Sequence, residues 1–252
     1  MAKGSRGGRR SGGGGGALNG NAPTNAQALT QAQADALRQQ QDSMYDANTT
    51  AAVKQYISNT NFDGQGHSLS QTMNYLLDEG VDLQNTPLST INKQYGLNLN
   101  QRELASMQYT DSYMAVATHS IGQDVVLQRG AHDDLLKNTF GISDYSKMSE
   151  SQLKAKLVGQ GFQNTSYMST SYDITKNPFL GQGSAVAGGR EVVYNIKAGA
   201  NTKMLFGAKA QTEIIIDKGT SFKITDVKYT GKTATPRGGA YKSQIQIDIE
   251  TI

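Results

Sequence analysis

The chain contains no cysteine and no tryptophan, and only four of its 252 residues are proline. Without cysteine there can be no disulfide, no thiolate metal site and no thiol nucleophile. That composition suits a cytoplasmic protein, and equally one that crosses a membrane or a narrow channel unfolded. No apolar run approaches the ~20 residues of a membrane span, and the N-terminus lacks the apolar region of a signal peptide. Charged residues are scarce at 18%, while glycine is abundant at 28 residues. Part of the chain is therefore expected to stay outside any packed core, although 37% hydrophobic content is ample for one elsewhere.

The formal charge of +3 is unevenly placed: Lys3, Arg6, Arg9 and Arg10 put four positive charges on the first ten residues. The remainder balances 20 basic against 21 acidic residues, which excludes a basic nucleic-acid-binding domain of the usual kind. Residues 1–26, "MAKGSRGGRRSGGGGGALNGNAPTNA", form a glycine-rich, low-complexity stretch that reads as a disordered basic tail. Its charge suits an electrostatic tether to nucleic acid or an acidic partner, or equally a solubilising leader.

Residues 27–48 hold strong helix formers with a thin apolar stripe, as expected of a linker or docking helix. From residue 49 the helical pattern strengthens. "SLSQTMNYLLDEG" has serine caps and a closing glycine, and Asn100 with Glu103 opens a further helix in capping-box spacing. After residue 122 the pattern turns to short strands: "DVVLQRG", "YMSTSYD", "REVVYNIKAG", "TEIIIDKG", "SFKITDVKY" and "KSQIQIDIE", with one capped helix, "SESQLKAKLVGQG", among them. Ile245, Ile247 and Ile249 alternate with polar residues, the mark of a half-buried strand. Helices over 49–122 followed by a β-rich part over 123–252 predict one α+β domain with a mostly antiparallel sheet.

Common catalytic constellations are absent. His67, His119 and His132 have no metal-ligand spacing. "GQGSAVAGG" at 181–189 lacks the Lys-Ser/Thr of a phosphate loop, and no G-x-S-x-G elbow occurs. Three features remain. Arg129 ends an apolar strand ahead of Gly130; a guanidinium there is costly to bury alone and its fork suits a phosphate. Ser169, Thr170 and Ser171 occupy a strand where a core wants valine or isoleucine. Gln211 and Glu213 share one face just ahead of the apolar run Ile214–Ile216. Singly, these read as a surface ion pair, a polar edge strand and a solvated loop.

In that order, arginine, then Ser-Thr-Ser, then Gln-x-Glu resembles the signature of mono-ADP-ribosyltransferases, in the branch of clostridial Rho-modifying exoenzymes and the enzymatic components of binary actin toxins. The resemblance covers roughly residues 85–252 and includes "QYTDSYM", "AGGREVVYNI" and "QTEIIIDKGTSFKITDV". It implies N-terminal helices packed on a two-sheet core, NAD as substrate and no metal. Glu213 is implied to be the catalytic carboxylate and Ser169 its orienter, with Thr170 and Ser171 holding the strand and neighbouring loop. Arg129, Gly130, Ser169, Thr170 and Arg190 are implied on the cofactor, and Phe179 is expected there as an upstream substitute for the nicotinamide-covering aromatic that relatives carry near the position of Val186. Gln211, an amide where arginine-modifying relatives carry glutamate, implies a protein target modified on asparagine or glutamine, with threonine behind them. Ala208 stands where Rho-modifying relatives expose an aromatic, which argues against a Rho-type target. The helix "SYMAVATHSIG" offers Ala117, His119 and Ser120 where relatives place an NAD-binding Asn and Arg. Alternative readings are an NAD glycohydrolase and a phage virion or structural protein with a degenerate transferase fold. The site of action implied is the cytoplasm, or a target cell reached by secretion or with a phage particle.

Overall fold

The computed structural model describes residues 25–131, 135–173, 191–230 and 244–252. Five helices come first: α1 Gln31–Met44, α2 Ala47–Tyr56, α3 Leu69–Asp78, α4 Leu88–Tyr95 and α5 Gln101–Ala117. The strands follow as β1 His119–Ser120, β2 Val125–Ala131, β3 Gly161–Gln163, β4 Met168–Ser171, β5 Glu191–Ala198, β6 Lys203–Phe206, β7 Glu213–Ile216, β8 Ser221–Thr230 and β9 Gln244–Thr251, with α6 Glu150–Leu157 before β3. The helix-then-strand order is the α+β arrangement the sequence predicts.

Local chemistry sets the helix starts. Thr30 with Gln33, Ser68 with Gln71, Asn100 with Glu103 and Ser149 with Gln152 all form reciprocal capping boxes. Each satisfies two otherwise orphaned N–H groups, and loss of such a cap costs about 1 kcal/mol. This is how the polar α1 begins at a defined residue despite its weak apolar stripe.

The nine strands run in the order β1-β6-β7-β4-β2-β5-β9-β8-β3. Every neighbouring pair is antiparallel except β5 with β9. The two sheets implied by the resemblance are visible as halves, β1-β6-β7-β4 and β2-β5-β9-β8-β3. They meet at β2 and β4 through a single register pair, Gln128 with Ser171. Hydrogen bonding thus makes them one sheet with a thin seam.

Two apolar cores lie against this sheet. Ile214, Ile216, Met168 and Phe206 belong to one, together with Leu29 and Ala34 from the α1 region and Leu153 and Leu157 of α6. Ile215, Leu205 and Tyr167 belong to the other, formed with α2, α3 and α5. β7 is therefore buried on both faces, and full burial of each of its isoleucines contributes about 1.5–3 kcal/mol. α1 is tied to β6 by Gln41, itself buried, whose Nε2 donates to the Phe206 carbonyl at 3.1 Å and whose Oε1 accepts the Phe206 N–H at 2.6 Å. α2 starts at Ala47, so the boundary expected between residues 48 and 49 falls in its first turn. On the other face, Lys218 reaches both Asp111 oxygens of α5, at 2.5 and 2.7 Å, and Tyr167 donates to the same carboxylate at 3.2 Å. Among the described residues no helix is long and apolar enough to cross a membrane.

Candidate active site

The site is laid out by strand register. Ser171 pairs with Glu213 and Ser169 with Ile215, so both serines share the face of Glu213. Thr170 points to the opposite face, is fully buried, and donates its hydroxyl to the Ile214 carbonyl at 2.7 Å. Expected on the cofactor, Thr170 instead fastens β4 to β7, because alternation along a strand denies it the face its neighbours occupy.

Glu213 is 5% exposed. Burial pushes its pKa above the ordinary carboxylate range, opposed by the Ala208 N–H, the facing Ser169 hydroxyl, Arg129 and Arg38. The Ala208 N–H holds Glu213 Oε2 at 2.8 Å, and the Gly207 N–H donates to the Glu213 carbonyl at 3.0 Å. Between Gln211 and Glu213 stands Thr212, the one non-glycine residue with positive φ among those described, at 50°. A β-branched residue is strained there. Contacts hold it in place: its Oγ1 lies 2.6 Å from Ser171 Oγ, and its carbonyl accepts the Tyr172 N–H at 3.1 Å. Gln211 closes a short 3-10 turn, Lys209–Gln211, and its side chain has no hydrogen bond among the described residues.

Arg129 approaches from β2, across the seam. Its Nη1 donates to the Ser169 carbonyl at 2.7 Å, which ties the two halves of the sheet beside the hydroxyl strand. Burial lowers its pKa, while Tyr56, Tyr194, Asp78 and Glu213 act in the opposite sense; a guanidinium stays charged throughout. Gly130 continues the strand and pairs with Val193. Beside Arg129 opens a cavity of about 640 Å³, lined also by Tyr194, Tyr75, Asp78, Asn138 and Phe162. Arg190 and Phe179 lie outside the described residues.

Several neighbours were not legible in the sequence. Tyr56 of α2 and Asn74 of α3 join the site: Asn74 Nδ2 donates to the Tyr56 hydroxyl at 2.9 Å and to the Tyr167 carbonyl at 3.1 Å. Burial raises the Tyr56 pKa, and Ser169 and Arg129 act against it, which places the phenol near both. Arg38 of α1 donates to the Gly207 carbonyl. It is the only arginine between residues 10 and 102, and that isolation in a glutamine-rich helix was the available signal. His119 and Ser120 stand on β1, which pairs with β6 at the far edge of the sheet. They take no place beside Arg129, where α3 supplies Asp78 instead.

A family model described as "ADP-ribosyltransferase exoenzyme" matches residues 25–248. No curated protein sequence matches the chain. Among solved structures, the chain is similar to an ADP-ribosyltransferase from Clostridium botulinum, with 17% identity, TM-score 0.56, and coverage of 90% of this chain and 98% of that one. It is similar to C3stau2 from S. aureus, solved with NAD, at 15% identity and TM-score 0.54, covering 92% of this chain and 99% of that one. It also resembles the enzymatic component C2-I of the C2-toxin from Clostridium botulinum, at 18% identity and TM-score 0.58, covering 88% of this chain and 48% of that one. At such identities the structural likeness speaks for the fold.

Proposed function

The chain belongs to the ADP-ribosyltransferase exoenzyme family, and on that footing we propose that it cleaves NAD at the nicotinamide–ribose bond and transfers ADP-ribose to a protein amide, the side chain of asparagine or glutamine. The observation that carries this reading is the convergence of Glu213, Ser169 and Arg129 at the seam, from three different strands.

NAD enters as substrate, and the residues suit it. Arg129 spends one N–H on the Ser169 carbonyl and lines the cavity, which suits it to meet a pyrophosphate there. The cavity is large enough for the ADP half of the molecule. Arg190, from outside the described residues, is assigned a second phosphate contact, Phe179 the cover of nicotinamide, and Gly130 a backbone approach to it. When the C–N bond breaks, nicotinamide leaves with the electron pair and positive charge grows on the ribose. Glu213, held by the Ala208 N–H and faced by Ser169, places a carboxylate where that charge develops. The acceptor nitrogen then bonds to the ribose carbon and releases a proton. Gln211, whose side chain is uncommitted among the described residues, can donate to and accept from an acceptor amide and has no charge with which to draw arginine.

Incubating the full chain with biotinylated NAD, with and without cell lysate, tests the reading. A labelled protein band, mapped to asparagine or glutamine, supports it. NAD consumption without label favours a glycohydrolase, and no consumption in either arm overturns it.

A further inference from the structure

α1 touches the site through one residue of unusual setting. The Arg38 guanidinium lies over the Phe206 ring, 5.2 Å from its centroid, and Nη1 donates to the Gly207 carbonyl. Its Nη2 is buried without a hydrogen-bond partner among the described residues. A half-buried cation with a free donor is costly unless something gains from its presence. The gain is found one peptide away. The Gly207 carbonyl and the Ala208 N–H belong to the same planar unit, and that N–H holds Glu213 Oε2 at 2.8 Å. Fixing the carbonyl at one edge of the plane aims the N–H at the opposite edge, and a cation on the oxygen strengthens donation from the nitrogen. Two more ties from α1 steady the same segment: Gln41 on the Phe206 backbone and Asp35 on Lys209 at 3.0 Å.

We propose that Arg38 is a positioning residue for the catalytic carboxylate: through the 207–208 peptide it aims and polarises the N–H that holds Glu213, which makes α1 part of the catalytic apparatus. The inference rests on the reading of Glu213 given above. Among the described residues, the groups that act on Glu213 include the Ala208 N–H of its own loop, Ser169 of β4, Arg129 of β2, Tyr56 of α2 and Arg38 of α1. Removing the α1 cation leaves the carboxylate more easily protonated, so activity should fail at a higher pH on the acid side.

The test is NAD hydrolysis by the full chain across pH, for wild type, Arg38→Met and Glu213→Gln, with melting curves for each. Methionine keeps an apolar stem over Phe206 but can neither donate nor carry charge. A roughly tenfold fall in kcat is expected, with a smaller change in KM and the acid limb of the profile moved to higher pH. Wild-type kcat with an unmoved acid limb would overturn the proposal, as would a loss confined to KM. Should the methionine variant melt below assay temperature, Arg38→Gln replaces it, neutral yet able to donate to the carbonyl. The same displacement of the acid limb is expected, and its absence counts against Arg38 equally. Failure of the underlying reading looks different: wild type is then inert toward NAD, or Glu213→Gln keeps its rate, and the inference falls with it.

Discussion

Gly207 and Glu213 lie so close that a side chain at position 207 has no room: a Cβ there would sit 2.7 Å from Glu213 Cδ and 2.9 Å from its Cγ. Gly207 is not in the left-handed region, and the three atoms nearest such a Cβ all belong to the Glu213 side chain. That side chain is the movable partner. Gly207→Ala should therefore fold with a melting temperature close to wild type while the carboxylate is pushed from its place. A displacement of about 1 Å costs a reaction about 100-fold. Steady-state NAD turnover beside thermal melting checks this; wild-type turnover would show that the carboxylate position is not critical.

Glu213→Gln separates chemistry from stability. Glutamine can still accept the Ala208 N–H through its carbonyl oxygen, but it cannot stabilise a cation by charge. Loss of at least ~100-fold in NAD turnover is expected. Stability should move the other way. The folded pKa of Glu213 is raised by burial, so the folded state holds that proton more tightly than the unfolded chain. The carboxylate thus costs stability above the unfolded pKa of about 4.3, and the cost disappears as pH falls below it. The variant should melt higher than wild type at pH 7 to 8, and the gap should close below about pH 4. Melting curves across that range decide it.

Gln211→Ala asks what the loop selects. Glu213 stays aimed by Ala208, so water can still capture the ribosyl cation. Protein labelling should fall by more than NAD hydrolysis does, on the order of tenfold between the two. Equal losses in both assays, or a wild-type adduct mapped to arginine, would remove Gln211 from acceptor recognition.

Asp111 couples the helices to the sheet. Its carboxylate takes Lys218 through both oxygens and the Tyr167 hydroxyl, and Lys218 also lies 5.6 Å from the Tyr167 ring centroid. Asp111 is 7% exposed, but Lys218 is partly open to water, which discounts the value of a buried pair. Asp111→Ala should cost about 2 kcal/mol in urea unfolding, with the slope unchanged. A midpoint equal to wild type would mean that the contact contributes nothing net.

Arg129, the Ser-Thr-Ser strand and Gln-x-Glu stood out because each departs from what its strand wants, a charge, hydroxyls and a carboxylate among apolar neighbours, but only their order, through the family resemblance, joined them into a candidate site. β9 could be read because Ile245, Ile247 and Ile249 alternate, and all three are buried. Tyr56, Asn74 and Arg38 could not. Each sits on an amphipathic or polar helix where its residue type is ordinary, and its meaning comes from a strand far along the chain. α1 illustrates this best. Its thin apolar stripe suggests a linker or docking segment, yet it is attached to β6 by a buried glutamine, which no hydrophobic pattern records. Gly207 was silent too, since only the approach of Glu213 gives its missing side chain a purpose.

β7 is four residues long, and it serves both cores at once: Ile214 and Ile216 enter one, and Ile215 enters the other. Glu213 is the first residue of that same strand. Loosening β7 would withdraw isoleucines from both cores at once, so the strand couples them. Disturbing the packing of Ile214–Ile216 in either core is therefore expected to displace the Glu213 carboxylate as well.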